Sequence, residues 1–433
     1  MKKILSLALT LLVPIFAFAI EDIKKVHLKD AISIAVENNI ELKSKNLDIE
    51  IAKNNIEIAN RLHNPSLHAN YLYGAAGNTE PKLIGFSQTL EINKRKAKKE
   101  LEQAKYNLSQ KKTEYTKFDL IMDVREAYIE LVSAKSILDS LEQQKIFQKQ
   151  LLDVAKNKRK TQSTDFIDAI QTEIALNHLV TQVNTAKADV DLAKNKLNKI
   201  INASNGIVYD SEDDILAEAN NFEEMNTPRP DFNFPDINDF IEIALKNRQD
   251  LEIALQEIEV ARAEMYLSTK SKIPDLTLGA GYAHQTKNYS ETGATLGGGF
   301  VGVSVDNIPL FYSHTPEIQN KAYKLEQAQL KYLSLKDKAK KDVASAYQKF
   351  LTSAKNLNQY EDNILQNSEK LIKTSVKLYE EGKIDISDLI ISKQTYKTTI
   401  IGYTYALADY YNSWTDFLRE INDVDFEFKI KNL

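Results

Sequence analysis

The chain has 433 residues, 56 lysines and arginines against 61 aspartates and glutamates, no cysteine, and a formal net charge of -5. The missing cysteines exclude a disulfide scaffold, a thiolate metal site and a lipid-bearing N-terminal cysteine. A mildly acidic chain with no dominant basic surface is also a poor candidate for binding nucleic acid.

Lys2 and Lys3, the apolar run from Ile4 to Phe16, and the small-x-small Ala17-Phe18-Ala19 read as a secretory signal over 1–19. Its removal takes away two lysines and moves the net charge from -5 to -7. The apolar run is short for a spanning helix, and no later segment approaches the roughly 20 apolar residues that a helical span needs.

A first repeat is predicted over 20–201. It opens with a helix, continues with strands at about 66–75 and 82–92, then a long helix at about 93–158 and a return helix at about 165–201. No glycine occurs between Gly85 and Gly206 and no proline between Pro81 and Pro228, so the long helix runs for roughly 100 Å. Leu101, Leu108, Tyr115, Met122 and Ile129 recur every seventh residue, with Ala104 and Phe118 interleaved, as lateral coiled-coil packing requires.

An acidic, proline-bearing connector fills 202–236, with Arg229 as its only basic residue. A second repeat follows over 237–422, with strands at about 275–284 and 297–310, a long helix at about 315–381 and a return helix at about 385–422. The tail is 423–433. Ten of the 13 glycines sit in the two hairpin windows, 74–85 and 279–302. The strands alternate: Leu67, Ala69, Tyr71 and Tyr73 share one face, as do Leu276, Leu278, Ala280 and Tyr282, while His68, Asn70, Thr277 and Gly279 point the other way. About ten residues is the length of a tilted membrane-spanning strand, although a soluble hairpin has the same alternation.

The two halves are a duplication. A shift of 209 superposes 28–73 on 237–282 without a gap, matching Asp30/Asp239, Ala35/Ala244, Asn38/Asn247, Leu42/Leu251, Pro65/Pro274 and Tyr73/Tyr282 among others. The shift becomes 219 at Asp123/Asp342 and Tyr128/Tyr347, and 220 past the helix turn at Asp165/Asp385 and Asp168/Asp388. Four membrane strands per chain cannot close, and open sheet edges are not tolerated in lipid. The chain is therefore expected to oligomerise: two copies would supply eight strands, and three would supply twelve and a wider lumen.

The order of these elements resembles the TolC-like outer membrane efflux proteins. The likeness rests on "LKDAISIAVENN" and "INDFIEIALKNR" at the repeat openings, "NPSL" and "IPDL" before the strands, "VGVSVDNIPLF", and "YEEGKIDISDLIISKQ". It implies a mainly α fold with a membrane β-barrel part: a homotrimer whose 12-stranded barrel is continuous with a periplasmic helical barrel. It further implies an exit duct in the bacterial outer membrane, extending into the periplasm, unlipidated and in contact with outer membrane lipid. A periplasmic adaptor and an inner membrane pump would be its partners, with no cofactor, metal or enzymatic chemistry. Either a tripartite efflux pump or type I secretion fits, and the substrate is not written in the chain. The competing reading is a soluble periplasmic or surface coiled-coil protein without channel activity.

Gly382 is predicted to end the long helix in a left-handed turn, with Asp385 and Asp388 opening the return helix and Asp165 and Asp168 doing so in the first repeat. Acids in a first turn are favoured by the helix dipole whatever their use. By resemblance, Asp388, Asp385, Asp168 and Asp165 line a periplasmic entrance and Tyr379 latches it. The chain departs from that pattern at Arg159 and Gln162, which replace a tyrosine and a glycine in the first turn, and at Ile391, which stands where a further acid is expected. His27, His63, His68, His178, His284 and His314 show no metal-ligand spacing, and "TGATLGGG" lacks the lysine of a phosphate loop. Trp414 reads as a packing residue.

Overall fold

The structure, a computed structural model, describes residues 22–70, 82–158, 165–203, 207–213, 227–228, 235–285 and 296–423. The predicted signal, both hairpin tips with Tyr71 and Tyr73, Arg159 and Gln162, most of the acidic connector and the C-terminal tail beyond Asp423 lie outside the described residues. The chain divides into two compact units, one built from 1–38, 124–221 and 368–405, the other from 39–123, 222–367 and 406–433.

In chain order the first half reads β1 (Asp22–Val26), α1 (Leu28–Asn38), α2 (Ile40–Asn60), β2 (Ser66–Asn70), β3 (Lys82–Leu90), α3 (Lys94–Lys158), α4 (Asp165–Ile201) and β4 (Ile207–Ser211). The second reads α5 (Ile237–Asn247), α6 (Gln249–Lys270), β5 (Asp275–Gln285), β6 (Leu296–Asp306), α7 (Thr315–Gln359), a π turn (Tyr360–Ile364), α8 (Leu365–Glu380) and α9 (Ile386–Ile421).

Three features differ from the sequence expectation. The opening helix of each repeat is broken in two. Asn39 has ψ 120° and its side chain accepts from the Leu42 amide as an N-cap, and Arg248 occupies the same position in the second repeat with ψ 116°. Secondly, β1 pairs with β4 as a parallel ribbon, Val26 opposite Ser211, although β4 lies in the predicted connector. Thirdly, the second long helix is interrupted by the π turn.

A π turn accommodates one residue more than the α ladder requires. Ahead of it the burial pattern repeats at a spacing of 219, with Val124/Val343, Ala127/Ala346 and Leu131/Phe350 all buried; beyond it Gln148 and Ser368 are both buried at 220. The extra residue thus sits inside the helix. The heptad seam also drifts: Leu101, Phe118, Met122 and Ile129 are buried, while Tyr115 is exposed.

In the first unit, the β1–β4 ribbon packs beside Tyr128, whose hydroxyl donates to Val26 O at 2.9 Å and to Asp213 Oδ2 at 2.5 Å. Burial, then the bond to Asp213, pushes this phenol far up. His27 Nδ1 lies 2.6 Å from the other oxygen of Asp213. In the second unit the core is aromatic. Trp414 is fully buried, with its ring centroid 5.0 Å from that of Phe350 in a tilted pair and 5.6 Å from that of Phe417. Arg248, mostly buried, binds Glu420 at 2.5 Å and Asp250 at 2.8 Å and keeps its charge.

Candidate functional site

Two regions concentrate the functional signals, and the first is the sheet. Its strand order is β2-β3-β5-β6, antiparallel throughout, so the two hairpins are joined by β3 and β5. The sheet does not close on itself: among the described residues β2 and β6 are each paired on one side only.

Register sorts the side chains. One face carries the rows Leu67-Phe86-Ala280-Val301 and Ala69-Ile84-Tyr282-Gly299, then Gln88-Leu278-Val303 and Leu90-Leu276-Val305, with the polar Lys82-His284-Gly297 at its hairpin end. The other carries Ser66-Ser87-Gly279-Gly302, His68-Gly85-Gly281-Phe300 and Thr89-Thr277-Ser304. The apolar face is open: Phe86 is 62%, Val301 86% and Val303 66% accessible. A water-soluble sheet buries such a face, so this one is built for an apolar surround.

The polar face is small and hydrogen-bonded. His68 Nε2 meets Ser87 Oγ at 2.7 Å, and Thr89 meets Thr277 at 2.9 Å. Gly85 and Gly281 face each other across β3 and β5, and the Phe300 ring covers both. An added Cβ at Gly281 would lie 2.4 Å from Ile84 O. No local pattern announced that cover, because a cross-strand pair is visible only once register is known. At the end of the sheet where the helices begin, Asp275 binds Lys94 Nζ through Oδ1 at 2.7 Å and Asn307 Nδ2 through Oδ2 at 2.9 Å.

The second region is the turn between α8 and α9. Gly382 has φ +69°, its amide donates to Tyr379 O at 3.0 Å, and the Lys383 amide donates to Leu378 O at 2.8 Å. Those two bonds form a Schellman cap, whose left-handed residue glycine adopts without penalty. Asp385 precedes α9 instead of lying in its first turn, because its carbonyl begins the ladder by accepting from the Leu389 amide at 3.3 Å. Asp388 lies within the first turn, and both aspartates are exposed.

Between them Ile386 and Leu389 turn inward, burying against Leu151 and Ala169, with Tyr379 packed on the same cluster. Ala169 follows the first turn of α4, which contains Asp165 and Asp168, so the opening turns of both return helices flank one apolar cluster. Ile391 is 62% exposed.

Farther along α9 a cavity of about 840 Å³ is lined by Gln143, Phe147, Gln171, His178, Lys393 and Lys397 among others. Burial lowers the Lys393 ammonium to about 7 and lowers Lys397 as well. Lys393 Nζ lies over the Phe147 ring, whose face favours the charged form and pulls against burial. Sequence reading passed over this lysine because nothing local distinguishes it from a solvated one. Among the described residues no three His, Asp or Glu side chains are grouped to hold a metal, and no helix is long and apolar enough to cross a membrane.

Residues 240–416 match the family model described as outer membrane efflux protein. The second repeat is thus similar to the outer membrane efflux proteins. Among solved structures its fold is similar to CusC (14% identity, 92% of each chain covered, TM-score 0.73). It is also similar to the MtrE outer membrane channel of Neisseria gonorrhoeae (14% identity, 92% of this chain and 89% of that one, TM-score 0.72). A third such structure is the CmeC outer membrane channel of Campylobacter jejuni (14% identity, 94% and 88%, TM-score 0.70). Comparison with curated proteins finds no match at the sequence level.

Proposed function

We propose that this chain is one third of an outer membrane exit duct. Three copies join β6 of one to β2 of the next, closing a 12-stranded barrel, and the long helices form a conduit in the periplasm. The observation that carries the reading is the two-faced sheet: eight apolar side chains from Leu67 to Val305 stand exposed on one face, while serine, threonine and glycine dominate the other. Oligomerisation is supported by a second exposed pattern on α2, where Ile40, Leu47, Ile51 and Ile58 follow spacings of seven, four and seven. A soluble coiled-coil protein accounts for that stripe and leaves the open apolar sheet unexplained.

The duct passes material handed over by an inner membrane pump through a periplasmic adaptor, whether small molecules or polypeptide. Asp388 and Asp385, with Asp168 and Asp165, line its periplasmic entrance beside the Gly382 turn, and Tyr379 helps hold that entrance shut. Their carboxylates favour cations. Asp388→Asn lowers the cation preference of single channels, and an unchanged preference removes Asp388 from the entrance.

The membrane assignment has its own test. Val303→Arg puts a charge on the apolar face at a cost of about 2–4 kcal/mol if that face meets lipid, whereas Ser304→Arg, one residue on, faces the lumen. The variants are compared by recovery in the outer membrane fraction. Loss of Val303→Arg with retention of Ser304→Arg is expected, and equal recovery of both overturns the membrane face.

A further inference from the structure

The helix-bearing end of the sheet combines an apolar loop and a cationic patch, and the two come from different repeats. Past β6, residues 308–312 leave Leu310 77% and Phe311 102% accessible. They continue directly from the exposed Val301, Val303 and Val305. Across the sheet, α3 opens with five basic residues in six, 94–99.

Two of those five are used internally: Lys94 binds the buried Asp275 at 2.7 Å and Lys98 binds Glu91 at 2.7 Å. Lys96 reaches Glu100 only at 3.9 Å, and Arg95 and Lys99 are exposed. The same Asp275 accepts from Asn307 at the head of the apolar loop, so one carboxylate fixes loop and basic turn to the same end of the sheet. At the spacing of 219 the second repeat has no lysine or arginine in 313–318, and the first has no comparable apolar loop at 89–93. Each repeat supplies the half that the other lacks.

Resting on the duct reading, we infer that Arg95, Lys96 and Lys99 together with Leu310 and Phe311 form a docking surface for anionic phospholipid of the periplasm-facing leaflet. Apolar and aromatic side chains at the end of a lipid-facing strand seat at the level of the headgroups. Cations beside them meet the phosphates, and each is worth roughly a fivefold gain in partition to an anionic surface. The lipid fits better than a free anion, because the cations adjoin exposed apolar surface.

The test is flotation of the purified full chain with vesicles of phosphatidylethanolamine alone or mixed with phosphatidylglycerol, with inorganic phosphate as competitor. The expected result is a preference of at least about tenfold for the mixed vesicles that phosphate does not abolish. It should be lost in Arg95→Gln/Lys96→Gln/Lys99→Gln and kept in the charge-preserving Arg95→Lys/Lys96→Arg/Lys99→Arg. Phe311→Ser is expected to weaken flotation with both vesicle types. Equal flotation of the wild type with both overturns this inference alone, as does a preference erased by phosphate. Failure to float with any vesicle overturns the duct reading and this inference together.

Discussion

Gly281→Ala should loosen the joint between the two hairpins. At this position a Cβ would lie 2.4 Å from Ile84 O, 2.7 Å from Gly85 Cα and 2.8 Å from Phe300 Cε1. The first two are backbone atoms of a paired strand and cannot turn aside, so β3 must move away from β5, and the Phe300 ring must shift as well. Overpacking of this kind costs about 1–3 kcal/mol. Gly298 and Gly302 are internal controls, since nothing lies within 4 Å of a Cβ there. Gly297 is intermediate, because its nearest neighbour is the Tyr282 hydroxyl, the far end of a side chain that can swing. If all 433 residues unfold together, the unfolding entropy is about 0.9 kcal/mol per degree, so Gly281→Ala lowers the midpoint by about 1–3 °C. The assay is thermal unfolding of the detergent-purified protein, followed through its β-sheet circular dichroism, with all four variants measured in parallel. A midpoint for Gly281→Ala equal to that of Gly298→Ala refutes the close approach of β3 and β5.

Gly382→Ala places a side chain at φ +69° and should cost about 1–2 kcal/mol; the Lys383 amide, which closes the Schellman cap, then exchanges its hydrogen several-fold faster, and unchanged exchange contradicts the cap. Arg248→Met strands Glu420 and Asp250 in a mostly buried position and should cost about 3 kcal/mol, whereas Arg419→Met, which frees the half-exposed Asp119 and Asp123, should cost less, about 1 kcal/mol, in chemical denaturation. Lys393 is depressed to about 7 in the folded chain, so between about 7 and its ordinary value near 10 the unfolded chain binds the extra proton and stability rises with pH. Lys393→Met should flatten that rise in denaturation curves taken across this window, and an unaltered slope contradicts its burial.

Most of the helical architecture was legible because the chain confines glycine and proline to few places. The stretch free of both from 86 to 205 coincides with α3 and α4, and the seven hairpin glycines among the described residues fall in β3, β5 and β6. Face assignments were legible too, since alternation fixes which residues share a side: Leu67 and His68 fall on opposite faces of the sheet. The β1–β4 ribbon was not legible, because five-residue strands nearly 200 positions apart carry no shared local signal. The π turn was half visible: the spacing changed from 219 to 220, but a helical sequence does not say whether one added residue falls in the helix or at its turn. Asp275 stood in view within "IPDL", yet its role as a clamp depends on Lys94 and Asn307, which sequence separates by 181 and 32 positions. The half-buried Lys393 depends likewise on tertiary packing around α9.

The central claim, that three two-faced sheets close into one water-filled barrel, is tested most directly in a planar bilayer. Single-channel conductance and molecular mass are measured on the same detergent-purified preparation. The account predicts the mass of three chains of 49.2 kDa, less their signals, and steady cation-preferring current steps. A monomer that gives no current steps at any protein concentration contradicts it.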